Sequence, residues 1–221
     1  MAEINLMDLY PRSRRPIEER GNLVTEKHRK VARQFGKEYF DGDRLFGYGG
    51  YYYHPRFWQE TVKRFRDYYC QAANASVLDV GCAKGFMLHD FKELMPGLTV
   101  SGIDISEYAI ENAIETVKPF LCVGNAKELP FEDKSFDLVI SINTIHNLAL
   151  KECIQALVEI QRVARKHAFI TVDAWRTEEE HERLLKWNLT ALTYMHVDEW
   201  KKLFKEVGYK GDYYWFIADD K

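Results

Sequence analysis

Between residues 76 and 172 the chain alternates short, densely apolar runs with longer stretches whose apolar residues recur every three or four positions. The runs at 76–80, 98–103, 120–123, 136–142 and 168–172 have the length of strands. Their near-continuous apolar character is that of strands buried on both faces. Between them, 86–94, 107–117 and 151–165 read as amphipathic helices. The first stops at Pro96-Gly97, the second stops before Pro119, and the third carries Ile154, Leu157, Val158 and Ile160 on one side. Such alternation predicts βαβ units and a parallel sheet covered on both faces. Further on, Thr177-x-x-Glu180 is a capping-box pattern opening a helix to about 188. Residues 198–207 read as a helix ending at Gly208, and 209–217 as a last, aromatic strand.

The first 70 residues have a different texture. A weak stripe through Val31 and Phe35 predicts a helix over 25–39, and Phe57, Trp58, Val62, Phe65 and Tyr69 predict another over 54–70. Between them, 41–53 contains Gly47, Gly49 and Gly50, too many glycines for a stable helix. This is a loop. The chain therefore divides into an N-terminal extension with a glycine- and tyrosine-rich lid, 1–70, and an α/β domain, 71–221. Arginines and lysines from Arg12 to Arg33 read as a solvated helix face, or as contacts to a phosphate or an acidic partner.

Composition narrows the class. The 221 residues are 46% hydrophobic and 29% charged, with a net charge of -3. That suits a globular domain and gives no global positive field to hold nucleic acid or an anionic membrane. Cys70, Cys82, Cys122 and Cys153 form no CxxC pair and no zinc-type spacing with histidine. Residues 1–16 contain no apolar signal core, and no run approaches the roughly 20 residues of a membrane span. The expectation is a soluble, cytoplasmic protein with reduced thiols and no metal.

Chemistry concentrates where strands end. Val77-Leu-Asp79-Val-Gly81-Cys-Ala83-Lys-Gly85 joins a buried strand to a helix through small residues, which lets backbone approach a ligand. The G-x-G-x-x-G spacing of a dinucleotide fingerprint is absent. Asp79 would repel a pyrophosphate and suits a cationic group instead. Asp104 closes the next strand 19 residues beyond Gly85, near the separation at which an acid meets a ribose. Gly124-Asn125-Ala126 follows the third strand, and Asn143 and His146 follow the fourth. All four lie at the carboxyl edge, where open α/β sheets bind ligands.

Taken together, these residues closely resemble the class I S-adenosylmethionine-dependent methyltransferases over about 76–172. The resemblance implies a Rossmann-like, doubly wound, seven-stranded sheet whose last strand is antiparallel. It implies that Asp79, Gly81, Cys82, Ala83 and Gly85 cradle the methionine part of S-adenosylmethionine. Asp104 and Ile105 would hold the ribose, Asn125 and Ala126 the adenine, and Asn143 would lie beneath the sulfonium. Two positions depart from the family pattern: Ala83 replaces its usual central glycine, and Asn125 its frequent aspartate.

Methyl transfer to a hydroxyl needs alignment and a base. His146 is the first candidate, ahead of His54 and His196, and a packed or helix-capping histidine is the other reading. Tyr48 is expected over the cofactor. Tyr51, Tyr52, Trp175 and Arg176 are expected around the acceptor, with Arg176 able to grip a carboxylate or phosphate. The expected reaction is methylation of an oxygen or nitrogen of a small polar metabolite, of sugar-like or carboxylated type, by a monomer or a homodimer. RNA or protein methylation and non-catalytic cofactor binding are the alternatives.

Overall fold

The computed structural model describes residues 1–11, 15–69 and 72–219; Arg12, Arg14 and Cys70 lie outside them. Helices α1 (Ile17–Leu23), α2 (Glu26–Ala32), α3 (Lys37–Asp41) and α4 (Pro55–Tyr69) come first. They lead into β1 (Ser76–Val80), α5 (Phe86–Leu94), β2 (Thr99–Asp104), α6 (Glu107–Glu111), β3 (Leu121–Val123) and β4 (Phe136–Ile142). The chain continues through α7 (Leu150–Val163), β5 (Ala164–Trp175), α8 (Glu178–Trp187), β6 (Met195–His196), α9 (Val197–Glu206) and β7 (Asp212–Phe216). The sheet has seven strands in the order β3-β2-β1-β4-β5, with β6 and β7 both paired to β5. Among the described residues, no helix is long and apolar enough to cross a membrane.

Side-chain alternation along the strands builds two cores. Leu78, Val80, Val139, Ile170 and Val172 face α7 and α9, where Trp200 and Phe204 fill the layer. Val77, Leu138, Ile140 and Phe169 face the other way, onto α4 and α5. The α4 ring of Phe65 meets Phe169 edge-on at 5.1 Å. Thus α4 closes one face of the sheet, while α1 packs on α8 through Ile17 and Leu184.

Three features differ from the sequence reading. The helix expected over 25–39 is broken: Phe35 adopts φ +49° before Gly36, and α3 restarts at Lys37. The helix expected over 107–117 stops at Glu111, and the following backbone turns so that Ile114 N–H donates to the Lys84 carbonyl. The last strand is parallel, not antiparallel: Phe169 pairs with Asp212 and Asp173 with Phe216. The reason lies in β6, a two-residue stub on Ala174 and Trp175. No full strand leaves this edge, so α9 carries the chain back, Gly208 (φ +71°) reverses it, and β7 runs alongside β5. The chain start then borders β7, with Ile4 N–H donating to the Tyr213 carbonyl.

Candidate active site

At the end of β1 the backbone N–H groups of Gly81 and Cys82 both donate to the Ile103 carbonyl, at 2.7 and 3.1 Å. Gly81 has φ +89°, and a Cβ there would lie 2.0 Å from Thr144 Oγ1. Only glycine fits. Ala83 holds φ +49°, a conformation costing a non-glycine residue about 1–2 kcal/mol. Its N–H donates to Asp104 Oδ2 at 2.7 Å, while Ser106 N–H donates to Oδ1 at 2.9 Å. Gly85 (φ +77°) opens α5 against Val117 and Leu121. The departure at Ala83 therefore keeps the loop, held by Asp104.

Asp79 is 4% exposed, and its carboxyl accepts no hydrogen bond among the described residues. Burial, reinforced by Asp104, pushes it up to about 8. Asp104 is also raised by burial, against the lowering effect of its backbone donors. A buried, uncompensated acid beside a cradle that a Cβ would fill fits a cationic cofactor. Asp104 retains acceptor capacity for hydroxyls. Ile105, 51% exposed, offers an apolar platform next to it. Asn125 accepts from Lys127 N–H at 3.1 Å, and the preceding Gly124 N–H donates to the Asp104 carbonyl. These residues fit S-adenosylmethionine.

The polar cluster beyond β4 was only half visible in the sequence. Asn143 (φ +51°) accepts from the Thr171 hydroxyl at 2.7 Å, which leaves its NH2 for the cleft. His146 is buried, and its Nδ1 accepts the Asp173 backbone N–H at 2.9 Å. Burial holds the ring below the usual histidine range. With Nδ1 accepting that N–H, the neutral ring carries its proton on Nε2 and can donate there. The Asp173 carboxylate lies 3.6 Å from His146 Nδ1 and is raised by burial. Asp173 was missed, although an acid inside the apolar run 169–175 was a visible signal.

A cleft of about 1060 Å³ unites much of this. Asp79, Gly81, Cys82, Ala83, Asn143 and His146 line it, as do Tyr48, Tyr51, Tyr52 and Arg176. Gly85, Asp104, Ile105, Asn125 and Ala126 lie outside its lining. Trp175 does not reach it either. Its ring stacks on His181 at 4.0 Å because α8 begins immediately after β5. His54 is at the cleft wall, whereas His196 caps α9 by accepting from Asp198 N–H.

The lid is bolted down by a residue the motif reading passed over. Lys84 Nζ lies 2.7 and 2.9 Å from the Asp41 carboxylate oxygens and donates to the Tyr51 carbonyl at 3.0 Å. The Tyr108 hydroxyl and the Tyr51 backbone N–H also donate to Asp41. Tyr51 stacks on Phe86 at 5.0 Å, and Tyr48 packs on Tyr51 at 4.4 Å. A lysine between two loop glycines is the one signal that pointed to this latch.

Residues 71–219 match the family model described as a methyltransferase domain. Over 126 residues the chain is 32% identical to a tRNA (carboxymethyluridine(34)-5-O)-methyltransferase of Arabidopsis thaliana, covering 56% of this chain and 30% of that protein. It is also 32% identical over 150 residues to the demethylmenaquinone methyltransferase of Listeria welshimeri, covering 65% of this chain and 61% of that one. The chain thus spans less than two thirds of these relatives. The YcgJ protein of Bacillus subtilis shares the fold, with a TM-score of 0.54, 20% identity and 66% of each chain covered.

Proposed function

The chain belongs to the methyltransferase domain family, and we propose that it methylates an oxygen or nitrogen of a small polar metabolite with S-adenosylmethionine. The observation that carries the acceptor class is the cleft of about 1060 Å³, at the upper limit of the size of small-molecule sites. The net charge of -3 gives no reason to expect a polyanionic macromolecule.

The bound cofactor supplies an activated methyl group on a sulfonium; this chain supplies position and charge. The Asp79 carboxyl, once ionised, balances the ligand's positive charge. Asp104 accepts from ribose hydroxyls, and Asn125 with Ala126 meets the adenine. Tyr48 and Tyr51, held down through Lys84 and Asp41, exclude water above the methionine part. The Asn143 amide and the His146 Nε2–H point hydrogen-bond donors at the acceptor side. The cofactor would supply a methyl group to the acceptor atom, and Asp173 would take the proton that the acceptor loses. Burial raises that carboxylate above its usual range, which favours its taking a proton.

Labelled S-adenosylmethionine offered to metabolite, RNA and protein pools tests the reading, and label in the metabolite pool alone is expected. The plant relative acts on tRNA by its name, so label in RNA would favour that second reading. Cofactor binding with no label in any pool would make the protein a non-catalytic binder.

A further inference from the structure

Five arginines line the cleft. Among the described residues only Arg15, with Asp219 at 3.1 Å, and Arg176, with Glu180 at 3.9 Å, have a carboxylate within reach. Arg20 and Arg44 have none. Arg20 is 7% exposed. It donates from Nη1 to the Trp187 carbonyl and from Nη2 to the Arg44 carbonyl, and its Nε has no partner. Arg44 opens to the cleft and donates to the Gly47 carbonyl. The guanidiniums of Arg15, Arg20 and Arg44 all crowd one ring, 5.9, 4.5 and 5.8 Å from the Trp187 centroid.

This is an unusual electrostatic arrangement. Cation–π contact with Trp187 and backbone carbonyls offset part of the cost of placing two unneutralised guanidiniums side by side. They do not remove the repulsion between them. Burial, and then Arg44, lower Arg20 to about 10. A bound anion would relieve both effects, since guanidinium forks match tetrahedral oxyanions bidentately. After Asp219 is counted against Arg15, two positive charges remain, matching a phosphoryl dianion better than a single carboxylate. The cluster is also contiguous with the reacting centre: Arg15, Arg20 and Arg44 line the same cleft as Asn143, His146 and Asp173.

We propose that Arg20, Arg44 and Arg15, gathered around Trp187, form an anion subsite that grips the phosphoryl group of a small phosphorylated methyl acceptor. The inference rests on the methyltransferase reading for what the rest of the acceptor does, but the anion site can be tested separately. The subsite holds the phosphoryl end while the acceptor atom lies at Asn143, His146 and Asp173. Arg15 and Arg20, in the basic stretch that the sequence offers as a solvated face or as contacts to a phosphate or an acidic partner, thus contribute part of the acceptor wall.

The test is a thermal-melt titration of the full chain with inorganic phosphate at constant ionic strength. Malonate, a phosphorylated short RNA and S-adenosylhomocysteine form separate arms. Phosphate should raise the midpoint by several degrees. Arg44→Gln should weaken phosphate binding about tenfold or more, leave the S-adenosylhomocysteine shift intact, and be partly rescued by Arg44→Lys. Arg15→Gln provides a second variant should Arg44→Gln fail to fold. No phosphate shift, or an equal shift in the variants, overturns the subsite while a surviving S-adenosylhomocysteine shift leaves the cofactor site standing. Malonate binding as tightly as phosphate overturns the phosphoryl assignment. RNA binding far more tightly than phosphate overturns the small-molecule assignment. A phosphate shift without an S-adenosylhomocysteine shift supports the subsite and sinks the methyltransferase reading.

Discussion

Replacing Asp79 with asparagine removes a carboxyl that is 4% exposed and titrates at about 8. At pH 7 only about one tenth of the free protein then carries Asp79 ionised. A cationic ligand group favours the ionised form, so binding has to expel the proton. Affinity for S-adenosylhomocysteine should therefore rise about tenfold per pH unit, or about 1.4 kcal/mol, up to about pH 8 and level off above it. The stability sign follows from the same shift. The folded pKa lies above the unfolded value, so the group's contribution is full below about pH 4. It is lost progressively as pH rises through about 8. The assay is isothermal titration calorimetry between pH 5.5 and 8.5 (approximate limits set by the same titration) in two buffers of different ionisation enthalpy. Close to one proton should be released per ligand near pH 7. Asp79→Asn should flatten the affinity slope, and the ligand's own ionisation cancels in the comparison. A slope unchanged in the variant, or absent in the native protein, would refute the assignment.

Three further outcomes follow from the geometry. Gly81→Ala places a Cβ 2.0 Å from Thr144 Oγ1 at φ +89°. It should cost at least about 1–3 kcal/mol in urea unfolding, and trimming Thr144 to alanine should not fully restore it, because the backbone strain persists. Lys84→Met leaves Asp41 facing the Tyr108 hydroxyl and the Tyr51 backbone N–H without its cation. It should destabilise by about 2–4 kcal/mol, somewhat below the 3–5 of a fully buried pair because Asp41 is partly solvated, and limited proteolysis should then cut within 42–53 much faster. His146→Ala should reduce turnover on the true acceptor by about a hundredfold with little change in S-adenosylhomocysteine affinity, and equal losses in both would make it a packing residue.

What the sequence disclosed was what local pattern encodes. β1, the 81–85 loop and α5 follow from a five-residue apolar run, spaced glycines and one amphipathic stretch, all within 19 residues. The capping box at Thr177 holds in part: its side chain accepts from Glu180 N–H, but Glu180 turns to Arg176 N–H instead of reaching back to Thr177. The errors lie where tertiary contacts decide. The parallel β7 depends on β6 being a stub, which no periodicity in 189–197 announces. Trp175 is diverted by a histidine six positions on. Arg20 looked like any solvated helix arginine, because its burial depends on Trp187 and Arg44, which the chain brings near from 167 and 24 residues away.

The central claim is that the Asp79–Gly85 loop and Asp104 hold S-adenosylmethionine. The direct measurement is a thermal-melt titration with S-adenosylhomocysteine, with NAD as control. At a hundred times its dissociation constant a ligand adds about 2.7 kcal/mol, which at roughly 2–4 °C per kcal/mol raises the midpoint by several degrees. The account predicts that rise with S-adenosylhomocysteine alone, and its loss in Asp104→Ala. A flat response at saturating concentration, or an equal rise with NAD, would contradict it.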